Sequence, residues 1–445
     1  MTSRATNHLA QAGGGRTSWK QYSNSPIAKR AAVLFVGALA SQAIAMAANL
    51  LLSQIYQPEQ FGALGIFISL TAFVSVVASG RFDQAIMLPI QREDASELTV
   101  ISILLGCATA MGVLAIVVCF QSEILKALGA PTLEGWILLL PLSIAAAATI
   151  QSMTIWTMRQ KRFSTVSVTR VGQSTFSAIG QLAGGAYQYA GGLICGSIGG
   201  QVAAVTAFGA AITCVRDLRF SRPRWRGIPS LMRRFGDMPL HSVPESILSQ
   251  FQIILPTLVF ARMYTLDATG QLLLAQRLVV LPVAFISQAL GPVMFQWIAS
   301  RHAAQGDLRV PLRFIWTRLL VVALPLSIFF WLFSEEIVKI VLGPRWSECG
   351  QIVETMAPYL AAVLVFGPTN SLAIVVRKQH LSLAVAATAL AVKLVAIFAC
   401  NRAGADYLWM LRAFVAIDMI QIIGLNTWFY CSLRAKSGKT SGQKL

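Results

Sequence analysis

Residues 55–95 read IYQPEQFGALGIFISLTAFVSVVASGRFDQAIMLPIQREDA and divide into a polar turn, one apolar span and a charged segment. In the turn, Pro58 suits the first position of a helix, and Glu59 places a carboxylate near the positive end of that helix. The apolar span has the length that a helix needs to cross a bilayer. Arg81 and Asp83 follow where the span ends. The stretch therefore predicts one helix of a membrane protein with its connecting segments.

The composition extends this prediction to the whole chain. Of the 445 residues, 56% are hydrophobic and 12% are charged, and the mean hydropathy is +0.64. Soluble domains carry about 25% charged residues. The sequence therefore predicts an all-α, polytopic membrane protein. About twelve transmembrane helices are expected, at residues 31–54, 62–80, 98–120, 135–157, 166–188, 192–215, 242–262, 271–299, 314–333, 352–376, 380–400 and 407–430.

The formal net charge of +18 indicates orientation in a membrane rather than nucleic-acid binding. Basic residues concentrate in the two tails and in alternate loops, as the positive-inside rule requires of cytoplasmic segments. We therefore expect a multi-pass protein that contacts membrane lipids, has both termini in the cytoplasm and has no nucleic-acid partner. The opposite loops hold few basic residues, namely Lys126, Arg262, Lys339, Arg345 and Arg402.

Charge and hydropathy also divide the chain into segments. The longest basic loop inside the chain carries seven arginines, separates six predicted spans from the other six, and is expected to lie on anionic lipid. We predict a disordered cytoplasmic tail, an N-terminal six-helix lobe, a basic linker, a C-terminal six-helix lobe and a basic tail, at residues 1–29, 30–215, 216–241, 242–430 and 431–445.

A weak internal repeat relates the two predicted lobes. An offset of six spans predicts parallel repeats, related by an axis near the membrane normal. We interpret the repeated turn residues as structural, because they place a carboxylate near a helix start and a glycine where helices approach closely. With a shift of 208 residues, the matched pairs are Ser41-Gln42 with Ser249-Gln250, Tyr56 with Tyr264, Glu59 with Asp267, and Gly62 with Gly270.

Glycines at four-residue spacing mark a second close approach. Such spacing lets two membrane helices pack with their backbones near each other. It predicts that the fifth and sixth spans cross tightly. The glycines are Gly180 and Gly184 in one span and Gly192, Gly196 and Gly200 in the other.

The sequence offers no chemistry typical of an enzyme. The seven cysteines are scattered, with no CxxC pair and no Cys/His cluster, so we expect neither a metal site nor a disulfide framework. There is no Gly-rich phosphate loop, no GxSxG and no HExxH motif. We therefore expect no catalytic residues and no cofactor.

The remaining candidates are charged and polar residues within or bordering the predicted spans. Such residues are costly in hydrocarbon and usually face the bundle interior or a wet cavity. An excess of cations would favour an anionic head group, and arginine and lysine are natural partners of phosphate. The predicted substrate-binding residues are Arg81, Arg277, Lys393, Arg412, Gln42, Asn49, Gln250 and Gln288. The candidates for ion coupling are Asp83, Asp418 and Glu245.

Structural alternatives exist for three of the cations. Arg81 and Arg412 lie near span ends, where a long side chain can reach the membrane interface instead of a cavity. Lys393 could pair with Asp418 and hold two spans together. Arg277 is harder to explain in this way, because it lies inside its span.

The run YQPEQFG, followed by a span that ends in GRFDQAIMLPIQREDA, resembles the first two helices of the polysaccharide transporter family. These are the O-antigen and exopolysaccharide flippases of the multidrug/oligosaccharidyl-lipid/polysaccharide superfamily. The resemblance covers residues 30–430. It implies two lobes around a hydrated cationic cavity, with cations from helices 1, 2 and 8. Arg81 and Arg277 match helices 2 and 8, whereas the first span offers only Gln42 and Asn49.

The resemblance implies a function in the bacterial inner membrane. Undecaprenyl-diphosphate oligosaccharide repeat units would be moved across it by alternating access, for assembly of O-antigen, capsule or exopolysaccharide. A polysaccharide polymerase and a chain-length regulator would be partners. One alternative is a drug/cation antiporter of the same superfamily, which would favour an acidic cavity in the first lobe. Another is a membrane polysaccharide polymerase or ligase, which would need a longer external loop.

Overall fold

The computed structural model describes residues 26–189, 191–220, 228–236, 242–279, 309–369 and 379–440, together with residues 283, 294 and 298. Within these ranges the chain is helical, and short turns join consecutive helices. The helices of the first half are α1 (Pro26–Ile55), α2 (Pro58–Ala78), α3 (Phe82–Ala85), α4 (Arg92–Leu128), α5 (Leu140–Arg159), α6 (Phe163–Ala186) and α7 (Gly192–Cys214).

The second half begins with a short helix in the predicted linker. Its helices are α8 (Ile228–Arg234), α9 (Val243–Met263), α10, whose described part is 266–279, α11 (Arg309–Leu342), α12 (Ser347–Phe366), α13 (Gln379–Ala403) and α14 (Tyr407–Thr440). The last helix continues beyond residue 430, where a basic tail was predicted. Most of the predicted N-terminal tail, residues 1–25, lies outside the described residues.

The prediction of an all-α, polytopic membrane protein is confirmed. Among the described residues, ten helices are long and apolar enough to cross a membrane. Helix α6 is 24 residues long but is not one of them, because polar residues interrupt it. The predicted span 271–299 is described only as far as residue 279, apart from three isolated residues.

Helices α6 and α7 cross closely, as their glycines predict. A Cβ atom added at Gly180 would lie 2.9 Å from the Cα atom of Gly196. A Cβ atom at Gly184 would meet the backbone of Gly192 in the same way. The absence of side chains at these positions is what allows the two backbones to touch.

The turns that contain Tyr56 and Tyr264 lie at one end of the bundle, which we call the tyrosine face. The Tyr56 hydroxyl donates a hydrogen bond to the Gln181 carbonyl at 2.8 Å, and the Tyr264 hydroxyl donates to the Ala405 carbonyl at 2.9 Å. Burial raises the pKa of both hydroxyls. Both tyrosines therefore remain proton donors, and they tie one turn to α6 and the other to the turn between α13 and α14.

The two halves meet at the tyrosine face through their matched glycines. A Cβ atom at Gly62 would overlap the carbonyl oxygen of Leu266, and one at Gly270 would overlap that of Pro58. With the shift of 208 residues, Pro58 matches Leu266. The contact is therefore reciprocal, which is the pattern that a two-fold axis between the halves would give.

A second pair of contacts closes the same face. The Trp346 indole donates a hydrogen bond to the Ser53 carbonyl at 2.9 Å and meets the Phe61 ring edge-to-face, with centroids 5.1 Å apart. In the other direction, the turn at Gly129 packs against the Ala261 carbonyl. Ser53 and Ala261 are again matched by the shift of 208 residues. The second half thus places a turn on α1, and the first half places one on α9.

The opposite end of the first half, which we call the arginine face, contains Arg81, Arg92, Arg159 and Arg219. The Arg159 guanidinium donates hydrogen bonds to the carbonyls of residues 86, 89 and 91, and Arg92 donates to those of residues 217 and 219. These bonds satisfy carbonyls that the turns leave without helical partners.

Candidate functional site

A cavity of about 440 Å³ lies between the halves and is lined mainly by α1, α6, α7 and α10. Its wall is rich in amides and hydroxyls. The polar residues on it are Gln42, Asn49, Gln173, Ser174, Ser177, Gln181, Ser197, Gln201, Gln276 and Arg277. We call it the central cavity.

Arg277 carries the only formal charge among the described residues that line the central cavity. Its guanidinium donates a hydrogen bond to the Asn49 amide oxygen, which joins α10 of the second half to α1 of the first. Within the described part of the chain, no carboxylate lies within ion-pair distance of Arg277. A cation held by a neutral amide keeps its positive charge available to an anion. The cavity is therefore electropositive.

The structure brings three of the predicted substrate-binding residues together here, namely Gln42, Asn49 and Arg277. The predicted set of site residues does not include the polar residues of α6 and α7, because only the glycines of these two helices were interpreted. One signal was available. Gln173, Ser177 and Gln181 recur at four-residue spacing and therefore lie on one side of a helix.

Lys393 and Asp418 line a second cavity of about 380 Å³ in the second half. The Lys393 ammonium lies 2.7 Å from the Asp418 carboxylate, and the lysine side chain is only 2% exposed. The ammonium also lies 5.8 Å from the centre of the Phe414 ring. Gln276 lines both this cavity and the central one. The charge of Lys393 is thus balanced by its partner, unlike that of Arg277.

Arg81 does not line the central cavity. It lies at the end of α2 with a left-handed backbone (φ 62°), and its buried Nε atom has no hydrogen-bond partner among the described residues. Its neighbour Asp83 is fully buried, where the Ser79 hydroxyl and the Gln151 amide donate to its carboxylate at 2.7 and 3.0 Å. Asp83 is thus held within the packing of the arginine face, and Arg81 lies two residues before it, outside the central cavity.

Asp83→Asn is expected to lower the free energy of unfolding by about 1.5–3 kcal/mol, the usual value of a hydrogen bond to a charged group. The carboxylate accepts from two donors, whereas asparagine would turn its own amide hydrogens toward one of them. The change is measured as the melting temperature in detergent. Glu134→Gln, at an exposed carboxylate, is the control and should melt like the parent. Equal melting of the two variants would contradict this structural role.

The other predicted site residues that the structure describes do not line the central cavity. Arg412 is exposed, and its guanidinium lies 5.0 Å from the centre of the Trp409 ring. Glu245 is exposed in the first turn of α9. Gln250, on the same helix, lines neither cavity, whereas Gln252 lines the second one. Gln288 lies outside the described residues.

Comparison with known families gives one match. The sequence model of the family described as "Polysaccharide biosynthesis protein" matches residues 51–351. This range includes the opening turn, the paired glycines and Arg277. A comparison with curated proteins finds no match.

Several solved membrane transporters share the fold. The lipid II flippase MurJ, in an inward closed conformation, is 11% identical with a TM-score of 0.68, over 90% of this chain and 87% of that one. A MOP superfamily transporter from Pyrococcus furiosus is 14% identical with a TM-score of 0.64, over 95% and 99%. The Vibrio cholerae MATE transporter VcmN is 17% identical with a TM-score of 0.56, over 93% and 99%.

Proposed function

The chain belongs to the polysaccharide biosynthesis protein family, and from this premise we propose that it is a flippase for lipid-linked oligosaccharides. Its substrate would be an oligosaccharide on undecaprenyl diphosphate, carried across the bacterial inner membrane with both termini of the protein in the cytoplasm. The two halves would rock about the central axis between them, so that the central cavity opens to each side in turn and the reciprocal glycine contact closes the tyrosine face.

The observation that carries this proposal is the unpaired cation in the central cavity. Among the described residues, Arg277 is bound by a neutral amide alone, and none of those that line the wall around it is a carboxylate. A diphosphate has several acceptor oxygens and negative charge, which a planar guanidinium binds well. The drug/cation antiporter is less well supported, because a positive cavity would repel a cationic substrate.

Other features fit the same proposal. The turns at the tyrosine face are short, so the described residues there offer no folded domain for a polymerase or ligase. Asp418, the one ion-coupling candidate that lines a cavity, is our candidate for coupling transport to an ion gradient. A polysaccharide polymerase and a chain-length regulator would receive the product on the far side of the membrane.

Arg277→Ala is expected to abolish polymer export, because it removes the one charge that the described residues place on the cavity wall. A hydrogen bond to a charged group contributes about 1.5–3 kcal/mol, which corresponds to about 10- to 150-fold in affinity. Arg277→Lys should retain part of the activity, since it keeps the charge but loses the bidentate geometry. The measurement is restoration of surface polysaccharide in a deletion strain, at matched amounts of protein in the membrane.

Arg402→Ala is the matched control for this experiment. Arg402 is an exposed arginine at the end of α13 and lines neither cavity. Its variant should export like the parent. Lipid-linked repeat units should accumulate on the cytoplasmic leaflet in the Arg277→Ala strain. Normal export by Arg277→Ala would refute the cationic-cavity mechanism, and accumulation on the outer leaflet would favour a polymerase.

A further inference from the structure

One face of α6 carries polar side chains from the arginine face to the middle of the bundle. Its residues recur at intervals of three or four, and the stretch from the first to the last is about 16 Å long at the rise of an α-helix. We call this the α6 stripe, made of Arg170, Gln173, Ser174, Ser177 and Gln181. The other side of the helix presents exposed apolar residues, Val168, Phe176 and Ile179.

The α6 stripe joins two cavities. A third cavity, of about 410 Å³, lies between α5, α6 and α7 and has Arg170 and Gln151 on its wall. Gln173 and Gln201 line both this cavity and the central one. The side chains of these two glutamines therefore lie between the third cavity and the central cavity. A polar path runs from Arg170 past the glutamines to Arg277.

Among the polar side chains along this path, Gln181 is used by the fold, since it donates a hydrogen bond to the Leu193 carbonyl at 3.1 Å. Within the described part of the chain, the side chains of Gln173, Ser174 and Ser177 make no hydrogen bond. Gln201 accepts one bond from the Ser143 hydroxyl at 2.9 Å. Its amide hydrogens have no partner in the same ranges. Polar groups at membrane depth need hydrogen-bond partners, so these must bind water or a polar ligand.

The charges along the path are confined to its two ends. Of the described residues that line the two cavities, only Arg170 and Arg277 are charged, and none is a carboxylate. The wall between them offers amides and hydroxyls, which both donate and accept hydrogen bonds. Sugar hydroxyl and acetamido groups do the same. An uncharged saccharide is the chemical class that matches this wall.

We propose that the α6 stripe, with Gln201, is the subsite for the glycan of the substrate and that it binds uncharged sugars. The inference rests on the proposed function, which places the diphosphate at Arg277. The glycan then extends from Arg277 along α6 toward Arg170. The first half of the chain thus determines which glycan is accepted, while the second half supplies the cation.

The test measures binding of two probes to the full-length protein in lipid nanodiscs. One probe is a short-chain prenyl diphosphate, and the other is the same diphosphate carrying a neutral disaccharide. The double variant Gln173→Met with Gln201→Met keeps side-chain length but removes both amides. Loss of two hydrogen bonds should weaken the disaccharide probe by about 5- to 150-fold. Affinity for the plain diphosphate should not change.

Two further variants make the outcome decisive. Gln84→Met, at an exposed glutamine outside the three cavities, should bind both probes like the parent. Arg277→Ala should weaken both probes equally. If Arg277→Ala binds both probes normally, the proposed function fails. If the double variant loses affinity for neither probe, or for both equally, the glycan subsite fails.

Where the double variant melts early, Ser174→Ala with Ser177→Ala replaces it. This pair tests the same stripe with smaller changes. Relative to the parent, this pair should again weaken binding of the disaccharide probe alone. If affinity falls for neither probe, or by the same factor for both, the inference is overturned.

Discussion

Gly62→Val is expected to hold the tyrosine face open and to expose Cys349 to thiol reagents. A side chain at Gly62 would overlap the Leu266 carbonyl, which is backbone and cannot rotate away. The contact between α2 and α10 must therefore separate. Cys349 lies fully buried at the start of α12, and its backbone N–H donates to the Gln271 side chain at 3.0 Å. This cysteine is a natural reporter of the separation.

The size of the effect follows from the cost of overpacking. Extra atoms in a well-packed contact cost about 1–3 kcal/mol, so the open population should rise by about 5- to 150-fold. The measurement is the rate of maleimide labelling in a variant that retains Cys349 as its only cysteine. Gly270→Val should act in the same way, because its side chain would overlap the Pro58 carbonyl.

A glycine away from the contact between the halves provides the control. Gly112, on α4, has open space where a side chain would be added. Gly112→Val should therefore label as slowly as the parent. If Gly62→Val labels no faster than Gly112→Val at the same protein stability, the two halves do not close through this contact.

These glycines also indicate how far sequence reasoning reaches. The spans, the crossing of α6 with α7 and the structural role of the repeated turns follow from hydropathy and spacing, which are local properties. The reciprocal contact of Gly62 with Leu266 does not, because nothing local specifies which carbonyl a glycine will meet. The repeat only indicated that the two turns were equivalent.

The candidate site was predicted in part. Arg277 is unusual in its own sequence neighbourhood, since an arginine inside an apolar span is costly. Gln173 and Gln201 are not unusual there, because a single glutamine in a span is common enough to be passed over. Only the packing of α6 against α7 and α1 places their amides in one wall. Arg81 is the opposite case, because it stands out in the sequence as a charged residue beside an apolar span but lies at a turn outside the central cavity.

Asp418→Asn is expected to lower the free energy of unfolding by up to about 3–5 kcal/mol, the range for a buried pair that loses one partner. Lys393 is 2% exposed and has the Asp418 carboxylate 2.7 Å away. Without that carboxylate the ammonium has no counter-ion among the described residues that line this cavity. Melting temperature in detergent measures the loss of stability.

The double variant Lys393→Met with Asp418→Asn separates a structural role from ion coupling. It removes both charges, and replacing a buried pair by neutral groups is often harmless to stability. We therefore expect it to melt near the parent. As a control, Glu335→Gln breaks the ion pair between Glu335 and Lys339. Both side chains of this pair are exposed, Glu335 by 40% and Lys339 by 48%. Such a pair contributes only about 0.3–0.5 kcal/mol.

Export by the double variant then decides what the pair does. If the pair only holds α13 to α14, a protein that melts normally should also export normally. If Asp418 exchanges a proton or another cation during transport, the same stable protein should fail to export, while Glu335→Gln exports like the parent. Asp418 lines a cavity that shares Gln276 with the Arg277 site. We therefore expect the second outcome, and normal export by a stable double variant would rule out Asp418 as the coupling residue.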